Sequence, residues 1–181
     1  MSDIALISKA DLVEFTGISK NLSKEKIEPY VIQAQQSELR QFIGHEFYYD
    51  LISSWQGDSF SGGTQSNLNE AWNGESYDYA DGRTRQFYGL KMCLIYWSYA
   101  RILESIDFFV SAYGNRLAQH DNSERATRAA VKQKANEARA MAEMYASEAQ
   151  VYFDKKKSTY TLWNYSTQKR RGTIKIIKSW P

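Results

Sequence analysis

One run of residues, from about Glu124 to Lys157, constrains the fold more than any other feature of this sequence. Its apolar side chains recur at alternating steps of four and three, which places them along one face of a helix. These residues are Val131, Ala135, Ala138, Ala142, Tyr145, Ala149 and Tyr152. Because the seam is built mostly of alanine, another helix can approach it closely. We predict one long helix that packs antiparallel against residues 84 to 112 of the same chain, the alternative partner being a helix of a neighbouring subunit.

The first half of the chain carries the start and stop signals of shorter helices. Ser8 and Gly17 delimit a short first helix, because Ser is a favoured N-cap and Gly a favoured C-terminal residue. Further helices are predicted from Ser23 to Gly44, from about 46 to 55 and from about 84 to 112. The second of these helices has one apolar face, to which we assign Ile27, Val31, Ala34 and Phe42, with Tyr30 and Leu39 flanking it.

Glu38 lies in the middle of that apolar face. A carboxylate in such a position is stabilised when it reaches the edge of the helix or pairs with a basic group. It can also form an ion pair with another subunit. The sequence leaves both interpretations open.

Residues 56–83 differ from the helical segments on either side. This stretch is rich in Gly, Ser, Asn, Asp and Tyr and has no helical period. A long loop in a compact domain is either functional or mobile, and the aromatic residues in this one argue against a mere linker. We expect an ordered loop or hairpin that projects from a helical body.

Composition and charge fit one folded domain with a distinct basic end. The chain has 181 residues, of which 43% are hydrophobic and 24% charged. Residues 155–181 hold eight Lys or Arg and no acid. The residues before them include fifteen basic and twenty-one acidic side chains. No apolar run is long enough to span a membrane and no signal peptide is recognisable, so we expect synthesis in the cytoplasm and no membrane partner.

The motifs of familiar catalytic and metal centres are missing. The single cysteine, Cys93, excludes an internal disulfide and lies on an apolar helix, which favours a buried thiol over a nucleophile. His45 and His120 are far apart in sequence, and no glycine-rich phosphate loop is present. We therefore expect no enzymatic activity, no cofactor and no metal.

The C-terminal segment combines cations with apolar side chains that need a cover. We predict a helical body over residues 1–157 and an extended arm over 158–181 that docks on a partner protein. Its candidate partner-binding residues are Trp163, Tyr165, Lys169, Arg170, Arg171, Ile174, Ile176 and Trp180. Two alternatives stay open: a solvated end, and a nucleic-acid-binding tail that combines phosphate contacts with base stacking.

The N-terminal part of the chain resembles a known family. The residues that carry the resemblance are the segment from Ile27 to Leu39, the continuation Phe42-Ile43-Gly44, Tyr48 and Leu51, preceded by the short helix from Ser8 to Gly17. This segment resembles the head-tail connector proteins of tailed phages, the adaptor or ring proteins beneath the portal. In that family a helix pair is followed by a variable projection, a long helix and an extended C-terminal arm.

The resemblance implies a structural protein of the virion neck, between capsid and tail. Its members typically form a ring of twelve subunits, in which the helical bodies contact neighbouring copies and the C-terminal arm reaches the portal protein. Other neck or tail proteins would bind the opposite side. DNA would pass through the channel without specific binding. The fold class that follows is mainly α, a helical bundle with one long helix in its second half.

Overall fold

The computed structural model of the chain describes residues 4–63, 67–79, 81–105, 109–111, 114–116 and 128–163. Its elements are α1 (Lys9–Thr16), α2 (Lys24–Ala34), a π-helical turn (Gln35–Leu39), α3 (Arg40–Ile43), α4 (His45–Ser54), α5 (Leu68–Asn73), β1 (Glu75–Asp78), β2 (Thr84–Phe87), α6 (Gly89–Ser105), β3 (Phe109–Ser111), β4 (Gly114–Arg116) and α7 (Arg128–Lys155). The fold is mainly helical, as the sequence predicts, with a long helix in the second half. None of these helices is long and apolar enough to cross a membrane within the described ranges.

The first helix begins and ends where the sequence predicts. Ser8 forms a capping box, in which its hydroxyl accepts from the Asp11 amide and the Asp11 carboxylate accepts from the Ser8 amide. Gly17 ends the helix in the left-handed conformation, with φ of 68°. Asp11 also pairs with Lys91 of α6 at 2.6 Å, which attaches the cap to the central helix.

A π-helical turn changes which residues of the second helix reach the core. The buried Leu39 follows the buried Ala34 by five positions, one more than the usual spacing of three or four along one face of an α-helix. The wider π-helical turn from Gln35 to Leu39 accommodates this additional residue. Ile43 is then fully buried, whereas Phe42 is only partly buried. The assignment of Phe42 to the centre of the face and of Leu39 to its flank was therefore wrong, because it assumed an uninterrupted α-helix.

Glu38, within this turn, pairs inside its own chain. Nε and Nη2 of Arg101 on α6 donate to its carboxylate at 3.0 and 2.7 Å, and Nη2 also donates to the Ser37 hydroxyl at 2.7 Å. The two charged side chains are each 28% exposed. Of the two sequence interpretations, pairing with a basic group of the same chain is the one observed.

The alanine seam of α7 packs against α6. The two helices are antiparallel, since Glu104 meets Arg139 near one end and Tyr96 stacks on Tyr145 further along. Ala135, Ala138, Ala142 and Ala149 are all buried. The predicted intrachain partner is confirmed, although α6 begins at Gly89 and not near Thr84. Residues Thr84–Phe87 form β2, and Phe109–Ser111, also placed in the predicted helix, form a strand that pairs with β4.

Backbone crowding explains the start of α6. Gly74 and Gly89 face each other where α5 ends and α6 begins, with φ of 88° and 84°. A Cβ on Gly89 would lie 2.1 Å from the Trp72 carbonyl oxygen, and one on Gly74 would lie 2.1 Å from that of Phe87. The turn before α6 therefore requires glycine on both sides, which a helical period does not reveal.

The described part of residues 56–83 holds buried aromatic side chains and the first strand of a hairpin. β1 and β2 pair antiparallel, with Glu75 opposite Phe87 and Asp78 opposite Thr84. Phe60, Trp72 and Tyr77 are buried, and Tyr77 packs edge-on against Tyr152 of α7. The region also holds the short helix α5, which the sequence did not predict. The aromatic side chains of residues 56–83 thus attach this region to the helical body, so not all of it projects from the body as expected.

Candidate functional site

A cleft of about 350 Å³ lies between the hairpin and the outer face of α7. The hairpin strands and the residue after them supply one wall, and two residues of α7 supply the other. The lining residues are Tyr77, Arg85, Gln86, Tyr88, Glu148 and Val151. We call this feature the α7 cleft. It combines aromatic, apolar and charged side chains, which is the composition of a binding surface and not of a core.

Glu148 is the unsatisfied group of the α7 cleft. Its Oε2 atom is buried and has no hydrogen-bond partner within the described part of the chain. Burial raises the pKa of this carboxyl above its ordinary value, because a low-dielectric environment disfavours the charged form. A buried polar atom without a partner costs free energy, so a donor or a cation brought to this position by a ligand would be stabilising.

The rim of the α7 cleft is apolar and exposed. Tyr88 is 48% exposed and Val151 38%, and Met144, which is 43% exposed, precedes Val151 on the same helix. Met144, Glu148 and Val151 are spaced by four and three residues, so they form a second stripe on α7, apart from the buried alanine seam. Among the described residues, the long helix therefore has one face covered by α6 and a second face that is left exposed.

Cations gather on aromatic rings at the outer end of the hairpin. The guanidinium carbon of Arg85 lies 3.7 Å from the ring centroid of Tyr79, and Nζ of Lys155 lies 5.6 Å from the same centroid. Arg85 also pairs with Asp81 at 3.3 Å. Arg85, although it lines the cleft, is thus already engaged by a ring and a carboxylate.

A buried tyrosine network fixes the hairpin to the end of α7. The Tyr152 hydroxyl donates to Oε1 of Glu75 at 2.5 Å and lies 3.1 Å from the hydroxyl of Tyr160, which contacts the Asn67 carbonyl oxygen at 3.2 Å. Lys156 forms an ion pair with Glu75. Burial raises the pKa of Tyr160 to about 12 and that of Tyr152 further. Burial acts to raise the pKa of Glu75, but hydrogen bonds from Lys156 and Tyr152 outweigh it and lower that pKa.

Trp163, expected on the arm, lies in the core of its own subunit. It is 2% exposed, with its ring centroid 5.4 Å from that of Phe42 and 4.8 Å from that of Phe153. Its Nε1 donates to Oδ1 of Asp154 at 2.8 Å. Tyr160 is also fully buried, because a turn after α7 brings residues 158–163 back onto the body. The boundary drawn at 157 and the assignment of Trp163 to a partner contact are corrected accordingly.

The other predicted partner-binding residues lie outside the described residues. They are Tyr165, Lys169, Arg170, Arg171, Ile174, Ile176 and Trp180. His120 also lies outside, whereas His45 is exposed at the start of α4 beside Tyr49. Cys93 is buried, as the sequence predicts, and burial raises the pKa of its thiol.

Sequence reasoning missed the residues of the α7 cleft. The signal was present, since an acid lies between two apolar residues at helical spacing on a face other than the alanine seam. The hairpin wall gave no comparable signal, because its position depends on contacts between residues far apart in sequence. Groups of three or more His, Cys, Asp or Glu side chains arranged to hold a metal ion are not found in the part of the chain that the structure describes.

One family model matches this chain. It is that of a family of unknown function, DUF6712, and it covers residues 39–173, which is most of the chain. The match begins at the end of the π-helical turn and includes the hairpin, α6 and α7. No curated protein and no solved structure matches the chain.

Proposed function

We propose that the chain, which belongs to the DUF6712 family, is a structural subunit of the head-tail connector of a tailed phage. In this role it forms a ring beneath the portal protein, joins the portal to the neck or tail, and lets DNA pass. Its place is the neck of the virion, and its partners are the portal protein, neighbouring copies in a ring of about twelve, and other neck or tail proteins. The role is structural and requires neither catalysis nor a cofactor.

The uncovered face of α7 is the observation that carries this proposal. The inner face of the helix is satisfied by α6, while the outer face leaves Met144, Val151 and Tyr88 exposed beside a buried, unpaired carboxylate oxygen of Glu148. Exposed apolar groups around an unsatisfied polar atom gain free energy when another chain covers them. A subunit that packs side by side with copies of itself has such a face.

The charge of the body supports passage of DNA without specific binding. Before residue 155 the chain has twenty-one acidic and fifteen basic residues, so its body carries a net negative charge. Phosphate contacts require cations, and like charge weakens them. We propose that acidic side chains of the body face the channel.

Co-expression with a portal protein tests the proposal. The tagged full chain is expressed with the portal protein encoded in the same genome, purified through the tag and examined by sedimentation velocity and electron microscopy. The expected result is a complex that retains the portal and shows closed rings. A chain that remains a monomer at all concentrations and retains no portal protein would contradict the connector role.

The second candidate is a nucleic-acid-binding module, which the sequence suggests through the basic C-terminal segment. Among the described residues, the cations of Arg85 and Lys155 around Tyr79 favour it, since single strands bind through phosphate contacts and stacking on aromatic rings. A fluorescence titration with single-stranded DNA decides between the two functions. Affinity that falls steeply with salt and is lost when Arg85 or the cations of 169–171 are replaced would favour this candidate over the connector.

A further inference from the structure

We propose that the α7 cleft of one subunit binds the basic segment Lys169–Arg171 of a second copy of the chain, with Glu148 as the acceptor for one of its cations. This inference rests on the proposed function, because it names the contact that would join neighbouring subunits. It assigns a partner to the carboxylate of Glu148, which lies on the α7 wall of the cleft. It also gives a role to the three consecutive cations at 169–171.

The chemistry of the α7 cleft selects a cation. Glu148 lines the cleft and its Oε2 is buried without a hydrogen-bond partner in the described ranges, so a cationic donor that enters the cleft and contacts this carboxylate can supply the missing partner. Arg85 in the same cleft is held by Asp81 and by the ring of Tyr79. An incoming Lys or Arg would therefore supply the missing partner.

The rim selects a cation with a long apolar stem. Tyr88 and Val151 line the cleft together with Glu148 and are exposed, and Met144 extends the apolar surface along α7. Lys and Arg side chains bury their methylene groups along such surfaces while the charged head reaches a polar atom. Residues 164–181 contain five Lys or Arg and no acid. Their positive charges complement the carboxylate of Glu148, and their methylene groups complement the apolar rim of the cleft.

Geometry favours a second copy over the same chain. Trp163, the last described residue, packs against Phe153, and at 3.6 residues per turn the side chain of Val151 lies about 160° around α7 from that of Phe153. Trp163 therefore lies on the side of α7 opposite to the cleft. Lys169 follows Trp163 by six residues, which span at most about 20 Å even when fully extended. Within one chain, this segment would have to pass around α7 to reach the cleft. The same segment of a second copy can approach the open side of the cleft directly.

A cysteine cross-link in the full chain tests this contact. One batch carries Val151→Cys, a second batch labelled with ¹⁵N carries Arg170→Cys, and the two are mixed and oxidised. Mass spectrometry of the digested product is expected to show a disulfide between an unlabelled and a labelled peptide. The native Cys93 does not interfere because it is buried.

The matched control places the first cysteine elsewhere at equal exposure. Phe15 is 40% exposed and Val151 38%, so Phe15→Cys mixed with Arg170→Cys measures random collision. A yield for Val151→Cys no higher than this control would overturn the proposal. A double variant Val151→Cys/Arg170→Cys that closes its disulfide only within one chain, at equal rate after dilution, would overturn the assignment to a second copy.

A charge test on self-association is independent of the cross-link. Glu148→Gln removes the negative charge, and replacement of Lys169, Arg170 and Arg171 by Gln removes the cations. Each change is expected to weaken association about tenfold, and the combination no further, because both remove the same contact. Glu143→Gln, on an exposed part of α7 outside the cleft, should have no effect. Effects that multiply to about a hundredfold would refute a direct contact.

The outcomes separate this inference from the proposed function. A cross-link between copies without rings or portal binding would support the contact and contradict the connector. Rings that bind the portal without the cross-link would support the connector and contradict the contact.

Discussion

The indole N–H of Trp163 donates a 2.8 Å hydrogen bond to the carboxylate of Asp154, nine residues earlier in the chain. The single donor of the tryptophan side chain is thereby satisfied inside its own subunit, while its ring is buried against Phe42 and Phe153. The contact closes the turn that follows α7. The body therefore extends at least as far as Trp163, because this residue is anchored in the core.

Trp163→Ala is therefore expected to destabilise the body. Removal of a buried aromatic side chain should lower the free energy of unfolding by about 3–5 kcal/mol, and Trp163→Phe by less, since the ring is retained. Urea unfolding followed by circular dichroism measures both. Tyr49→Ala, at a residue 53% exposed, is the control and should change stability by less than about 0.5 kcal/mol. Unchanged stability of Trp163→Ala together with lost partner binding would restore the arm assignment.

The Glu38–Arg101 pair is expected to stabilise the single subunit. Arg101→Met leaves the carboxylate of Glu38 without its three hydrogen bonds from the guanidinium and should cost about 2 kcal/mol. Lys24→Met removes an exposed pair with Glu28 and should cost about 0.5 kcal/mol or less. Both are measured by denaturation at low protein concentration. A loss for Arg101→Met that depends on protein concentration would instead indicate a subunit contact.

Glu148→Gln is expected to stabilise the isolated subunit at neutral pH. The folded pKa of Glu148 is raised, so the group contributes stability below its unfolded pKa and loses it as the pH rises through the folded value. The neutral amide avoids that loss, and its advantage should therefore be larger at pH 7 than at pH 4. The other ionisable side chains lining the cleft are those of Tyr77, Tyr88 and Arg85. Thermal unfolding of both proteins at the two pH values checks the sign, and an advantage that is equal at both would contradict it.

Tyr160 is expected to make stability fall at alkaline pH. Its pKa is raised to about 12 by burial, so the neutral phenol stabilises the fold below the ordinary value near 10, and this contribution disappears between about pH 10 and 12. Tyr160→Phe should show a smaller decline over that range. At pH 7 the same change should cost about 1 kcal/mol, because the hydroxyl contacts with Tyr152 and Asn67 are lost.

Absorbance at 295 nm gives an independent measurement of the same effect. Tyrosinate formation in the folded chain should show a late-titrating fraction that becomes smaller in Tyr160→Phe. Titration of every tyrosine near pH 10 without unfolding would contradict the buried network.

Local signals predicted much of the fold. Ser8 and Gly17 mark both ends of α1, and the alanine seam predicted α7 and its antiparallel partner, because capping and helical period are properties of neighbouring residues. The start of α6 was misplaced because Thr84–Phe87 pair with β1, a contact that a helical period cannot exclude. Tertiary pairing overrides local preference at such positions.

The candidate site was less accessible to sequence reasoning. Trp163 was assigned to a partner because it belongs to a basic C-terminal segment without a helical period, yet its cover includes Phe42, more than a hundred residues earlier. Glu148 was not singled out, because the hairpin residues that line the cleft with it are far from it in sequence. The residues at 169–171 remain a prediction.

The π-helical turn from Gln35 to Leu39 has a consequence for how relatives of this chain are aligned. The Gln35 side chain accepts from the Leu6 amide and donates to the Ile4 carbonyl oxygen, while Glu38 holds α6, so one widened turn joins three parts of the body. A π turn is equivalent to one residue inserted into an α-helix. In an alignment, a single-residue gap at this point inside the helix would therefore mark a relative with an α turn in place of the π turn. The elements that follow would still present the same faces to the core.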